Sequence, residues 1–117
     1  EMVLWSLKNA LGNEILVPKI PSYNLLDIVR AFGVKNFKVN GIRPGEKIHE
    51  ELINVEESLN TIDIGNYYVI LQNRNDKKIC NYYLKKFNGK FLKNQISYNS
   101  NNSVKLSIEE IQKIIKK

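Results

Sequence analysis

Apolar residues recur at helical spacing from the first turn of the chain. Met2, Leu4, Trp5, Leu7, Ala10 and Leu11 fit one helix, which Gly12-Asn13 stops. No N-cap residue precedes it, so the pattern reads as a chain cut from something longer. Residues 14–17 are apolar and β-prone and predict a short buried strand running into Pro18. Two prolines in four residues keep Pro18-Lys19-Ile20-Pro21 extended. Ser22 is the expected cap of a helix with Leu25, Leu26, Ile28, Val29 and Phe32 on its apolar face, ended by Gly33. Phe37 and Val39, approaching Ile42, predict a second strand. Strand, helix and strand over this length predict a right-handed βαβ crossover with parallel strands.

Beyond it the pattern weakens. Residues 47–53 predict a short helix with Ile48, Leu52 and Ile53 facing inward, and 54–60 an acidic connector. Residues 67–71 are the clearest remaining strand. Across 79–91 the Asn88-Gly89 pair favours a hairpin over a helix. Residues 98–103 read as a polar loop. Ser107-Ile108-Glu109-Glu110 is a capping box opening a last helix, with Ile108, Ile111, Ile114 and Ile115 as its stripe. The expected fold class is mixed α/β (α+β): one domain over 1–117, with a small βαβ unit, short extra strands and a C-terminal helix.

Composition narrows the function classes. An apolar fraction of 43% over 117 residues suits a single globular domain and is short for an enzyme that carries its own cofactor fold. No apolar run is long enough to span a bilayer and none reads as a signal peptide, so a cytoplasmic protein with no membrane partner is expected. Cys80 has no partner for a disulfide and reads as an incidental thiol in a reducing compartment. One cysteine and one histidine leave no zinc site. The formal charge of +6, with lysines clustered at 85, 86, 90 and 93 and at 113, 116 and 117, points to an anionic partner. Nucleic acid is disfavoured, because no recognition helix, Arg-rich stripe or RNA-binding aromatic pattern accompanies the lysines.

The richest chemistry lies in Gly41-Ile42-Arg43-Pro44-Gly45-Glu46-Lys47-Ile48. Pro44 fixes φ and Gly45 removes the Cβ that would hold a ligand off the backbone. Arg43 offers a planar fork for two phosphate oxygens, and Glu46 can accept hydrogen bonds from a ribose diol. This suits a nucleotide diphosphate. In a parallel βαβ unit, ligands collect at the carboxyl ends of the strands. Val17-Pro18-Lys19 and the Arg43 loop are those ends here.

The blocks Glu14-Ile-Leu-Val-Pro-Lys-Ile-Pro-Ser22 and Gly41-Ile-Arg-Pro-Gly-Glu-Lys-Ile-His-Glu-Glu-Leu52, with the ending 98–111, resemble the C-terminal part of the inverting UDP-N-acetylglucosamine 4,6-dehydratases of surface-polysaccharide biosynthesis. Those enzymes are extended short-chain dehydrogenase/reductases. The resemblance implies a full-length parent with NADP(H) in an N-terminal Rossmann domain, a UDP-sugar substrate and room for a homo-oligomer. It places Arg43 on the diphosphate, Glu46 on the ribose, Lys19 near the nucleotide and the Val17-Pro18 backbone beside the base, with Pro44, Gly45 and His49 supporting the loop. The Gly-rich fingerprint and the catalytic Tyr-x-x-x-Lys pair of the family are missing, so no cofactor and no catalytic residue is expected in this chain. Tyr82-x-x-x-Lys86 has the spacing by coincidence, since the family's pair lies upstream of this region. A UDP-sugar epimerase of the same superfamily and a stand-alone basic binding module for nucleic acid or an acidic partner are the alternatives.

Overall fold

In this computed structural model, residues 1–116 are described. The elements in chain order are α1 (Met2–Asn9), β1 (Glu14–Pro18), α2 (Leu25–Ala31), β2 (Glu51–Ile53), α3 (Val55–Ser58), β3 (Thr61–Asp63), β4 (Tyr67–Leu71), α4 (Lys77–Lys86), β5 (Lys90–Phe91), β6 (Tyr98–Asn99) and α5 (Ile108–Ile115). They fall into two compact units, one of Glu1–Lys19 with Leu52–Tyr98 and the other of Ile20–Glu51 with the residues from Asn99 onward. The mixed α/β class holds, and the paired strands of the main sheet are antiparallel throughout.

The first unit is built on a four-stranded sheet in the order β1-β4-β3-β5. Its centre is the apolar run of β4, which pairs with β1 in the register Glu14↔Leu71 to Pro18↔Tyr67. Pro18 has no N–H to give to a ladder, and it closes a strand at the sheet edge. Helix α4 lays Cys80 and Tyr83 against Ile62, Val69 and Leu71, with Ile79, Leu84 and Phe87 around them. Asp76 caps that helix, accepting from the N–H groups of Lys78 and Ile79. The hairpin expected over 79–91 is therefore a helix followed by a turn. Asn88-Gly89 marks only the exit, where Asn88 takes φ 51°. Val17, Ile53, Ile70 and Tyr98 form a second buried cluster.

Tyr83 is fully buried, and its hydroxyl donates to Glu14 Oε1 at 2.5 Å, which also accepts from the Leu11 N–H at 2.6 Å. Burial first, then the Glu14 hydrogen bond and charge, hold the Tyr83 phenol well above its ordinary range. The folded state therefore keeps a proton that the unfolded chain gives up near pH 10. The stability is present below that pH and is lost above it, by about 1.4 kcal/mol per pH unit. Urea denaturation between pH 9 and 11 should show stability falling in this direction, and Tyr83→Phe should make the fall shallower.

In the second unit, α2 and α5 pack on each other. Ser107 and Glu110 exchange hydrogen bonds in the capping box expected of them. Of the expected stripe, Ile111 is buried and Ile108 half-buried, while Ile114 and Ile115 are exposed. Ser22 does not cap α2. Its N–H and C=O are taken by Val104 and Leu106 in a parallel bridge to Lys105, and Asn24 caps the helix instead, accepting from the Leu26 N–H at 2.9 Å.

Two further expectations are overturned. The second strand of the βαβ unit does not form, since 34–43 contain no strand and Phe37, Val39 and Ile42 are exposed. Alternation alone cannot hold a strand without a partner, and β1 has taken β4 as its neighbour. The parallel crossover is thus absent. Residues 47–53 form no helix. Ile48 is exposed, and the chain extends into β2, which pairs with β6. The acidic connector contains α3, closed by an Asn54–Glu57 capping box.

Candidate functional site

Arg43-Pro44-Gly45-Glu46 is a hydrogen-bonded turn. The Glu46 N–H donates to the Arg43 carbonyl at 3.1 Å, and Gly45 sits at φ 88°. Proline at the second position and a left-handed glycine at the third are what a type II turn demands. The Glu46 carboxylate closes the turn from the other side, accepting the Arg43 N–H on Oε2 at 2.9 Å. One carboxylate oxygen is thus spent on the backbone and Oε1 remains for a ligand. The Arg43 guanidinium has no hydrogen bond or ion pair within the described residues of this unit. The turn consequently presents an exposed fork and a carboxylate oxygen from a rigid corner.

His49 lies in a bend rather than on a helix, and its Nδ1 is 3.1 Å from Ser100 Oγ. The neighbouring Ser100 N–H donates to the Glu50 carbonyl at 2.9 Å. His49 therefore ties the segment after the turn to the segment around Ser100.

Val17, Pro18 and Lys19 belong to the first unit. The Val17 side chain is buried in the core, so only its backbone can face a ligand. Lys19 Nζ is held by both oxygens of Asp63, at 2.6 and 2.7 Å, and lies 4.5 Å from the centre of the Tyr68 ring. A partly exposed pair of this kind is worth about 1 kcal/mol or less, so an incoming phosphate could compete for the ammonium. Burial, and next the Asp63 charge, push the Tyr68 phenol up. Pro18 and Lys19 line an open depression of about 480 Å³ with Gly65, Asn66 and Tyr67. The structure brings Arg43 to Glu46 on one turn, and Pro18 and Lys19 to one depression.

The Tyr82–Lys86 pair does meet, with Lys86 Nζ donating to the Tyr82 hydroxyl at 2.8 Å. That hydroxyl donates to the Asn9 carbonyl at 3.0 Å and so pins α1 to α4. The lysines noted at 85, 86, 90 and 93 belong to a longer basic stretch. Residues 74–93 hold seven basic side chains against Asp76 alone, which accounts for the chain's net +6, while the remainder carries eleven of each sign. Among the described residues no group of three His, Cys, Asp or Glu side chains is placed to hold a metal ion, and no helix is long and apolar enough to cross a membrane.

The chain is similar to the UDP-N-acetylglucosamine 4,6-dehydratase (inverting) of Campylobacter jejuni serotype O:2, at 39% identity over 71 residues, 60% of this chain and 21% of that protein. It is similar to the UDP-glucose 4-epimerase of Rickettsia felis at 29% identity over 120 residues, 98% of this chain and 35% of that one. The X-ray structure of Pen from Bacillus thuringiensis superposes with a TM-score of 0.71 at 25% identity, over 97% of this chain and 34% of that chain. The chain thus spans about a third or less of the length of the proteins it matches. The model of the family described as polysaccharide biosynthesis protein matches residues 1–72, more than half of the sequence, and the chain belongs to that family, within the extended short-chain dehydrogenase/reductases.

Proposed function

We propose that this chain is the nucleotide-sugar-binding domain of a 4,6-dehydratase that acts on UDP-N-acetylglucosamine in surface-polysaccharide synthesis in the cytoplasm. The observation that carries the reading is the Arg43–Glu46 turn. Its carboxylate fixes the arginine's own backbone, and the guanidinium is left unpaired within its unit. Arg43 would take two oxygens of the diphosphate and Glu46 Oε1 a ribose hydroxyl. Pro44 and Gly45 set the corner, and His49 steadies the chain that follows it.

A nicotinamide cofactor does not fit the residues present. None of the strand-to-helix connections, at 19–24, 54, 72–76 and 100–107, contains a glycine on which a pyrophosphate could rest. NADP(H) belongs to the remainder of the full-length parent in this reading, and the isolated chain turns over no substrate. An epimerase parent is the second reading, favoured by the Rickettsia relatives matching nearly the whole chain. The higher identity of the dehydratases keeps the first.

The test is Arg43→Lys in a full-length enzyme carrying this chain. A point charge replaces a fork, so a charged hydrogen bond of about 1.5–3 kcal/mol is weakened, and KM for the UDP-sugar should rise by roughly one to two orders of magnitude. An unchanged KM removes Arg43 from the site.

A further inference from the structure

The positive charge of the chain is local. Residues 74–93 carry six lysines and Arg74 against Asp76 alone, and the rest of the sequence is balanced. This whole stretch lies in the first unit. Helix α4 turns Cys80 and Tyr83 into the core. Its opposite side presents Lys77, Asn81 and Lys85 about one turn apart, with Lys78 and Lys86 beside them, and all five are exposed. No acidic side chain stands on the helix. Asp76, just before it, turns its carboxylate back onto the Lys78 and Ile79 N–H groups.

Little inside the molecule answers these cations. Among the described residues Lys77, Lys78 and Lys85 make no hydrogen bond or ion pair through their side chains. Lys86 lies over the Tyr82 and Phe87 rings, 4.7 and 5.3 Å from their centres. Arg74 lies 4.4 Å over Phe91 and donates to the Leu59 carbonyl at 2.9 Å, so neither of these two meets a carboxylate. Lys77 and Lys78 also stand in the first turn, the positive end of the helix, where a cation costs stability. Lys90 does not share this face. Phe91 packs towards α4, so its neighbour along β5 points to the other side of the sheet.

From this face we propose that Lys77, Lys78, Lys85 and Lys86, with Arg74 at its start, form a docking surface for an anionic lipid bilayer, on which the protein rests from one side. Cations gathered on one amphipathic helix are what acidic headgroups attract, and each adds about fivefold to partition. Contact of this kind needs no membrane-spanning run. The side-chain chemistry favours a lipid surface over nucleic acid. Compact ammonium groups suit a plane of mobile headgroups, whereas forked recognition of a polynucleotide calls for arginine. The rings of α4 are turned to the core or covered by Lys86, which leaves none of them to stack on a base. The inference goes beyond the nucleotide site and stands without it, since the Arg43 turn belongs to the other unit.

The experiment is co-sedimentation of this chain with vesicles of three parts phosphatidylcholine to one part phosphatidylglycerol, and with vesicles of phosphatidylcholine alone. The chain should pellet with the charged vesicles only. Raising salt from about 0.1 M to about 1 M shortens the screening length from about 10 Å to about 3 Å and should release it. Lys77→Gln, Lys78→Gln and Lys85→Gln together should lower partition about a hundredfold. Lys77→Arg, Lys78→Arg and Lys85→Arg together should bind as the unaltered chain does. Lys35→Gln, Lys38→Gln and Lys113→Gln together remove the same charge from exposed positions of the other unit, and should lower partition several-fold at most. Glutamine is a good helix former and relieves the first turn, so thermal melting of the α4 glutamine variant should be unchanged or slightly higher. Equal losses in the two glutamine variants overturn the assignment. So does equal pelleting with charged and neutral vesicles, or none with either. Tighter binding to mixed-sequence duplex DNA or to polyglutamate at equal anion concentration, lost in the α4 glutamine variant, gives the face to nucleic acid or an acidic protein and overturns it as well.

Discussion

Tyr83→Ala is expected to cost the first unit about 3–5 kcal/mol, the range for truncating a large buried aromatic. The ring is fully buried, stacks on Phe87 with centres 5.8 Å apart, and meets Tyr82 edge-on at 5.0 Å. Its removal opens a void among Ile62, Val69 and Leu71 that a short-stranded sheet cannot close. It also strips Glu14 Oε1 of the phenol, while Oε2 is already buried with no hydrogen-bond partner among the described residues. Small domains hold about 5–15 kcal/mol in total, so this is a large share. Urea denaturation followed by Trp5 fluorescence reads it directly, because Trp5 sits on Tyr67 and Phe87. Tyr83→Phe, which keeps the ring, should lose only about 1–3 kcal/mol. A Tyr83→Ala loss below 1 kcal/mol would mean that α4 does not pack as described.

Gly89→Ala is expected to be the most damaging single-methyl change, at about 1–3 kcal/mol or somewhat more. A Cβ there would stand 2.7 Å from Ile62 Cγ2, 2.8 Å from the Tyr83 carbonyl oxygen and 3.0 Å from Ile64 Cγ2. The carbonyl cannot step aside cheaply, since it accepts the Gly89 N–H at 3.2 Å and belongs to the last turns of α4. Gly65→Ala is the matched control. Nothing lies within 4 Å of its Cβ, so its cost comes only from holding φ near 91°, about 1 kcal/mol or slightly more. Equal midpoints for the two variants would show that residue 89 is not pressed against the core.

What the sequence disclosed were features whose cause is local. The Gly12-Asn13 stop, the Ser107–Glu110 capping box and the Arg43–Glu46 turn each need only residues within four positions of one another, and all three form. Choices made at long range were illegible. The apolar run at 14–17 says that it will be a strand, but its neighbour is β4, more than forty residues on, and nothing in the run distinguishes that partner from 37–42. The error over 79–91 was of a different kind. Ile79, Cys80, Tyr83, Leu84 and Phe87 keep helical spacing behind an Asp76 cap, and the Asn88-Gly89 pair outweighed a pattern that was there to be read. In the site, the turn and its acid were legible because proline and glycine dictate them. The capture of Lys19 by Asp63, 44 positions away, was not.

The central claim is that a nucleotide diphosphate is held at the Arg43–Glu46 turn rather than drawn to the lysines of 74–93. A titration of UDP into the isotopically labelled chain, followed amide by amide by NMR, tests it most directly. Binding should be weak, on the order of millimolar, with saturating shifts at Gly41, Arg43, Gly45, Glu46 and Lys47 that Arg43→Ala removes. Shifts confined to α4 and its flanks, erased by moderate salt and indifferent to Arg43→Ala, would contradict it and favour a diffuse polyanion-binding surface.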